Sequence, residues 1–236
     1  MGPGHRMRFG GRYRLAAGLL VGLTAAAAPA FAQLSSSLSV DSDYIYRGID
    51  LSRDRPAVRL DLAYDHISGA YGGLSLIGIR DDAHGDIGLS SIGYAGYVWQ
   101  PAQGPSWEVG ASDTHIRNGG DYDYNEVYGG VITRTFTARL YYSPHYYGSR
   151  MRTLYSELSA ARRLAPGWRA FVHAGMLTPL DGAHRGERYD VRAGVAVNIS
   201  RYEIQAAWSR TDPVAGYLMH RPNDGNALVL SASRFF

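Results

Sequence analysis

From Gln33 onward, apolar and polar residues alternate in short runs, and clusters of Gly, Pro, Asp, Asn and Ser separate one run from the next. Successive side chains of an extended strand point to opposite faces, so a period of two writes one apolar and one polar face into each run. In the first run Leu34, Leu38, Val40, Tyr44 and Tyr46 share a face, against Ser35, Ser37, Ser39, Asp41, Asp43 and Arg47. In the next, Val58, Leu60, Leu62 and Tyr64 oppose Arg59, Asp61, Ala63 and Asp65. Phe136, Ala138, Leu140 and Tyr142 oppose Thr137, Arg139 and Tyr141. Val191, Ala193, Val195, Val197 and Ile199 oppose Asp190, Arg192 and Asn198, and Tyr202, Ile204, Ala206 and Trp208 oppose Glu203, Gln205 and Ser209. No stretch carries a helical period and no Pro/Ser-rich linker divides the chain, so one all-β domain is expected. Strands recur about every 17 residues, which gives about twelve, an even number as closed bacterial barrels require.

Alternation alone does not say which face is inside. A soluble barrel or sandwich buries the Leu/Val/Tyr face, whereas an outer-membrane barrel turns that face to lipid and encloses the polar one. Three features favour the second arrangement. Tyr44, Tyr64, Tyr142, Tyr202 and Trp208 stand on apolar faces near strand ends, where amphipathic rings sit at headgroup level. Short connections near 66–69, 133–135, 164–167 and 200 alternate with long charged ones near 49–55, 81–88, 114–123, 144–152, 180–188 and 212–225. Such barrels carry short turns at one rim and long loops at the other. Last, the chain ends on a strand, 227–236, with Leu228, Leu230 and Ala232 in phase with a final Phe236. That ending resembles the carboxy-terminal assembly signal of outer-membrane proteins, with Arg234 standing where an apolar residue or Tyr is commoner. The expectation is a single closed antiparallel transmembrane β-barrel of about twelve strands over residues 33–236.

Residues 1–32 read as a secretory signal peptide. Arg6, Arg8, Arg12 and Arg14 precede an apolar run at 15–30 that closes on Ala30-Phe31-Ala32, with cleavage expected before Gln33. A membrane anchor is the competing reading, but no basic stop-transfer cluster follows the run. Taking those four arginines from the 24 basic residues leaves 20 against 21 acids, so the precursor's formal charge of +3 belongs to its leader. No nucleic-acid partner is expected on that balance; the expected partners are outer-membrane lipid and the export and barrel-assembly machinery. All basic residues are Arg, and Cys is absent. The second absence excludes a disulfide framework, a thiolate metal site and a Cys nucleophile.

The segment Ser42-Asp43-Tyr44-Ile45-Tyr46-Arg47-Gly48-Ile49-Asp50-Leu51-Ser52, followed by Arg55-Pro56-Ala57-Val58, resembles the opening of the bacterial TorF family of porins, also called the Gcw_chp family. Weaker matches continue through Tyr71-Gly72-Gly73, residues 93–97, Asn125-Glu126-Val127-Tyr128, the 164–167 turn and the terminal Phe236. Asp50 replaces the more usual Ser or Thr, and the Tyr46-Arg47-Gly48 core is intact. The resemblance implies an outer-membrane barrel provisionally called a porin, and it brings no established substrate.

Candidate chemistry is sparse. His66-Ile67-Ser68 has the His-x-Ser spacing with which a His base can reach a Ser hydroxyl, but it falls in a short turn made of turn residues. Asp81-Asp82-Ala83-His84-Gly85-Asp86 offers carboxylates and a His in a long loop without a recognised metal spacing. His115, His145, His173, His184 and His220 are scattered, and Gly119-Gly120 and Gly129-Gly130 have no phosphate-loop context. No catalytic residue, metal or cofactor is therefore expected. The remaining candidate is the polar face itself, where Asp41, Asp43, Arg47, Arg59, Asp61, Arg139, Glu157, Asp190, Arg192 and Glu203 would line a pore. Neutralising Arg139 and Arg192 would then move ion preference toward cations. A passive channel for small hydrophilic solutes leads the readings. A closed structural or adhesion-type barrel comes second, an outer-membrane hydrolase third and a soluble secreted β-protein fourth.

Overall fold

The computed structural model describes residues 33–80, 87–117, 122–148, 151–181, 186–211 and 225–236. Residues 1–32, the loop 81–86, Gly119-Gly120, His184 and His220 lie outside them. The strands are β1 (Gln33–Asp41), β2 (Ile45–Tyr46), β3 (Ile49–Asp50), β4 (Ala57–Asp65), β5 (Ala70–Arg80), β6 (Ile87–Trp99) and β7 (Ser106–Arg117). They continue as β8 (Tyr124–Ile132), β9 (Phe136–Ser143), β10 (Thr153–Ala165), β11 (Trp168–Pro179), β12 (Arg188–Ile199), β13 (Tyr202–Thr211) and β14 (Asn226–Phe235).

Twelve strands, β1 and β4 to β14, pair antiparallel with their neighbours and close into a barrel. The ring closes through β1, which lies between β14 (Asp41 opposite Ser231) and β4 (Leu38 opposite Leu60). Closure satisfies every strand edge, the requirement for crossing a bilayer with strands. The short turns predicted at 66–69, 133–135, 164–167 and 200 share one rim with the connection between Trp99 and Ser106.

The alternation maps onto outside and inside as the barrel reading requires. Leu34, Leu38, Val40, Val58, Leu62, Val109, Val127, Leu140, Leu158, Val172, Leu228 and Leu230 are exposed on the outer face, while Ser37, Ser39, Asp41, Asp61, Glu108, Arg139 and Glu203 are buried within. Exposed Tyr64, Tyr97, Trp99, Trp107, Phe136, Trp168, Tyr202 and Phe236 all stand beside the short-turn rim, the pattern of an aromatic girdle at a membrane interface. Arg234 belongs to it. Its guanidinium lies 4.8 Å from the Phe236 ring centre and 5.9 Å from that of Tyr202, so its stem covers apolar surface while its charge reaches the rim.

One expectation fails here. Tyr44 and Tyr46 do not continue the apolar outer face of the first strand; they pack into the interior cluster with Ile49, Leu51, Tyr71, Tyr128, Tyr141 and Tyr155. The reason is that β1 ends at Asp41, where the Ser42 amide donates to the Leu230 carbonyl (2.8 Å) and the Leu230 amide to the Ser42 hydroxyl (3.0 Å). Beyond that clamp the chain turns inward. β2 and β3 form a separate two-stranded hairpin, with Ile45 opposite Asp50 and Tyr46 opposite Ile49.

Candidate functional site

The hairpin tip is Arg47-Gly48, with φ of 47° and 69°. Two consecutive positive φ values are what a two-residue hairpin turn needs to follow strand twist, and Gly supplies one without steric cost. Arg47 supplies the other at some cost, offset by what its side chain reaches. Its guanidinium donates from Nη1 and Nη2 to the two oxygens of Glu126 at 2.6 and 2.9 Å, a two-point charge-assisted pair. Its Cζ lies 4.3 Å from the Tyr155 ring centre and 4.6 Å from that of Tyr141. Arg188 donates to the Arg47 carbonyl at 3.3 Å.

These contacts span the barrel. The hairpin is rooted between β1 and β4, whereas Glu126, Tyr141 and Tyr155 belong to β8, β9 and β10, and β9 stands across the ring of twelve from that root. Residues 42–56 therefore form a strap across the lumen. Its returning arm is fixed by Asp50, whose carboxylate accepts from the amides of Ser52 (2.9 Å), Arg53 (2.6 Å) and Asp54 (2.9 Å). A Ser or Thr hydroxyl at that position could not take all three. Beside it, Asp43 accepts from the Ser52 hydroxyl at 2.7 Å. Asp43, Asp50 and Asp54 each bring a carboxylate oxygen within 4.8 Å of the others, close enough to share a cation. Burial, together with the Asp50 and Asp54 charges, pushes the Asp43 carboxyl up to about 7 despite the lowering pull of Ser52. Burial likewise pushes the Tyr44 hydroxyl up to about 12.

Under the strap tip, the β5–β10 side of the lumen is filled. Tyr71 and Tyr128 hydroxyls meet at 2.8 Å, the Tyr128 and Tyr141 rings pack tilted with centres 5.0 Å apart, and Tyr124 packs on Tyr146 and Tyr147 at 4.9 and 4.8 Å. Tyr71 lies over Gly96 and Tyr128 over Gly110, where any side chain would strike the ring. Arg139 sits in this packing. Its Nε pairs with Glu108 and its Nη1 reaches Glu157 at 3.3 Å, while the Tyr141 hydroxyl donates to Glu157 at 3.2 Å.

The opposite wall, from β10 through β14 to β1 and β4, holds the other predicted residues, and more of its side chains reach water. Arg59 lies 3.8 Å from Asp41 and 3.4 Å from Asp61. Asp61 also accepts from the Ser75 and Ser37 hydroxyls at 2.7 and 3.3 Å. Asp190 accepts from the Tyr155 hydroxyl at 3.1 Å and lies 3.1 Å from His173 Nε2. Arg169 pairs with Glu203 at 2.6 Å. Arg192 faces the same space, and its Nε has no hydrogen-bond partner. All ten predicted residues thus lie inside the barrel, but in three groups: strap (Asp43, Arg47), sealed cluster (Arg139, Glu157) and water-facing wall. Glu108, Glu126, Arg169 and His173 were missed as members. The first two were visible as acids in the polar phase of Trp107-Glu108-Val109 and Asn125-Glu126-Val127.

His66 and Ser68 do approach, Nδ1 to Oγ at 2.8 Å, in an exposed turn where the Ser68 amide also points at Nδ1 (3.2 Å). That is a local turn bond of the Asx and Ser type.

This set of features defines a closed twelve-stranded antiparallel barrel with an inward-folded strap. A family described as "Bacterial protein of unknown function (Gcw_chp)" matches residues 24–224, and the chain belongs to it. The chain is similar to a KdgM porin structure, with TM-score 0.57 and 10% identity over 86% of this chain and 99% of that one. It is similar at TM-score 0.55 and 9% identity, over 86% and 98%, to a KdgM porin in complex with disordered oligogalacturonate. The COG4313 outer membrane channel from Pseudomonas putida F1 aligns at TM-score 0.49 and 13% identity, over 89% and 97%. Among curated proteins no sequence match is found.

Proposed function

We propose that the protein is exported under a cleavable leader, residues 1–32, assembles in a bacterial outer membrane, and acts there as a passive channel for small hydrophilic solutes. The observation that carries this reading is the inversion of faces: the aliphatic side chains of the barrel strands are exposed outside, while Asp41, Asp61, Glu108, Arg139, Asp190 and Glu203 are buried inside. A soluble barrel would have the reverse. The KdgM fold supports it as a barrel architecture used by porins. The strap narrows the path to the wall from β10 through β14 to β4, so conductance is small.

The strap also favours a second reading, a closed barrel with a structural role, because it crosses the lumen and is latched at Arg47. Planar-bilayer recording decides between them. Refolded protein is compared with a variant in which residues 45–50 are replaced by Gly-Gly, which removes the tip and keeps the roots. A small conductance that grows in the shortened strap supports the channel. Silence in both supports the structural reading.

A further inference from the structure

The water-facing wall is layered by charge. In each of its ion pairs the cation is the more exposed partner. The Arg59 side chain is 15% exposed against 7% for Asp41 and 11% for Asp61. Arg169 is 15% exposed against 5% for Glu203, and His173 22% against 8% for Asp190. Three buried nitrogens on this wall, Arg59 Nε, Arg169 Nη1 and Arg192 Nε, have no hydrogen-bond partner, and neither does Asp41 Oδ2 among its acids. Arg192 has no ion pair among the described residues; the nearby charges acting on it are Asp41, Arg59 and Asp43. The cations are also spread along the path. Arg192 lies opposite His173 in the β11–β12 register, and Arg169 stands four residues further toward the short-turn rim, about 13 Å along the strand.

A solute in the lumen feels the more exposed charge of each pair more strongly, and low-dielectric walls sharpen the difference. Arg139 and Arg47 do not contribute, because carboxylates and tyrosine rings seal them on the far side. We infer that this wall is an anion-accepting surface, on which Arg59, Arg169 and Arg192 meet the carboxylate or other small anionic group of the solute. The recessed acids hold those arginines in place. The inference deepens the channel reading and rests on it for passage, but not for the sign of the wall.

The test uses the cysteine-free chain. Gln205 on β13 shares the inward phase of Glu203, Ala207 and Ser209 and is partly exposed. Gln205→Cys is labelled in detergent-folded barrels with two methanethiosulfonates of similar size, one carrying a sulfonate and one a trimethylammonium group. Each rate is divided by the rate on a small free thiol. The sulfonate should react faster by roughly tenfold at low salt, and the ratio should fall as salt is raised. Adding Arg192→Gln, which breaks no ion pair, should bring the ratio toward one. Equal rates, a faster cation, or no labelling by either reagent overturns the inference. Reversal potentials across a salt gradient separate the two readings. A conducting pore that favours cations overturns the anionic wall. A silent barrel with a sulfonate-favouring ratio overturns the channel and leaves the wall standing.

Discussion

Arg139 and Arg192 occupy equivalent phases of their strands, yet their removal has different consequences. Arg139→Ala leaves Glu108 and Glu157 facing one another with no cation between them. Breaking a buried pair from one side costs about 3–5 kcal/mol, so the variant should show a marked drop in the denaturant midpoint of refolded barrels. It should not shift ion preference, because Arg139 is sealed from the path. Arg192→Gln should do the opposite, leaving the midpoint nearly unchanged and moving reversal potentials toward cations. Asp43 carries the pH dependence of the strap. Its carboxyl holds a proton up to about pH 7 in the folded strap and gives it up near the ordinary carboxylate value when released. The folded form binds more protons between those limits, so the seated strap loses stability as pH rises through that window. Trypsin cleavage after Arg53, divided by the rate on a small peptide substrate at the same pH, should therefore accelerate between about pH 6 and about pH 8, and Asp43→Asn should flatten the profile.

At the scale of elements, β4 offers a sharp check because neighbours Leu60 and Asp61 point to opposite sides. With a cysteine at position 60, a lipid-soluble probe should react in the membrane-embedded protein. With one at position 61, a water-soluble thiol reagent should react instead, from the lumen. Exchange of the two results would mean that the aliphatic face is a core. Leu60→Arg should cost about 2–4 kcal/mol near the bilayer midplane, read from the folded fraction in lipid. β4 was legible because its period of two runs unbroken from Ala57 to Asp65. The strap was not. Apolar and polar residues still alternate from Tyr44 to Arg47, but the clamp at Ser42 has already turned the chain, and periodicity carries no information on direction. Alternation therefore places Tyr44 in the headgroup girdle, although it packs inside.

For the whole molecule, closure is the property to measure. With β1 paired on both edges and every barrel strand hydrogen-bonded to two neighbours, unheated samples in detergent should run as a compact band that shifts on boiling. Membrane fractionation should recover the protein with the outer membrane. A soluble periplasmic species with no heat shift would contradict the barrel as a membrane span. The short-turn rim, with its eight exposed aromatics, should lie at one interface, and tryptophan fluorescence of Trp99, Trp107 and Trp168 should be quenched by shallow rather than deep lipid quenchers.

The sequence by itself determined the strands, their approximate number, the short-turn rim and the side of each strand that carries charge. These follow from residues adjacent in the chain, where the pleat alone dictates which way a side chain points. Only the tertiary structure decided which charges meet. Arg47 and Glu126 are 79 positions apart and Arg139 and Glu108 31, and their encounters depend on ring closure and on a strap that crosses the lumen. Closure also divided one polar phase into a tyrosine-sealed side and a water-facing wall. Strands of the same alternation came to differ because a rigid ring fixes which of them the strap packs against and which it leaves open.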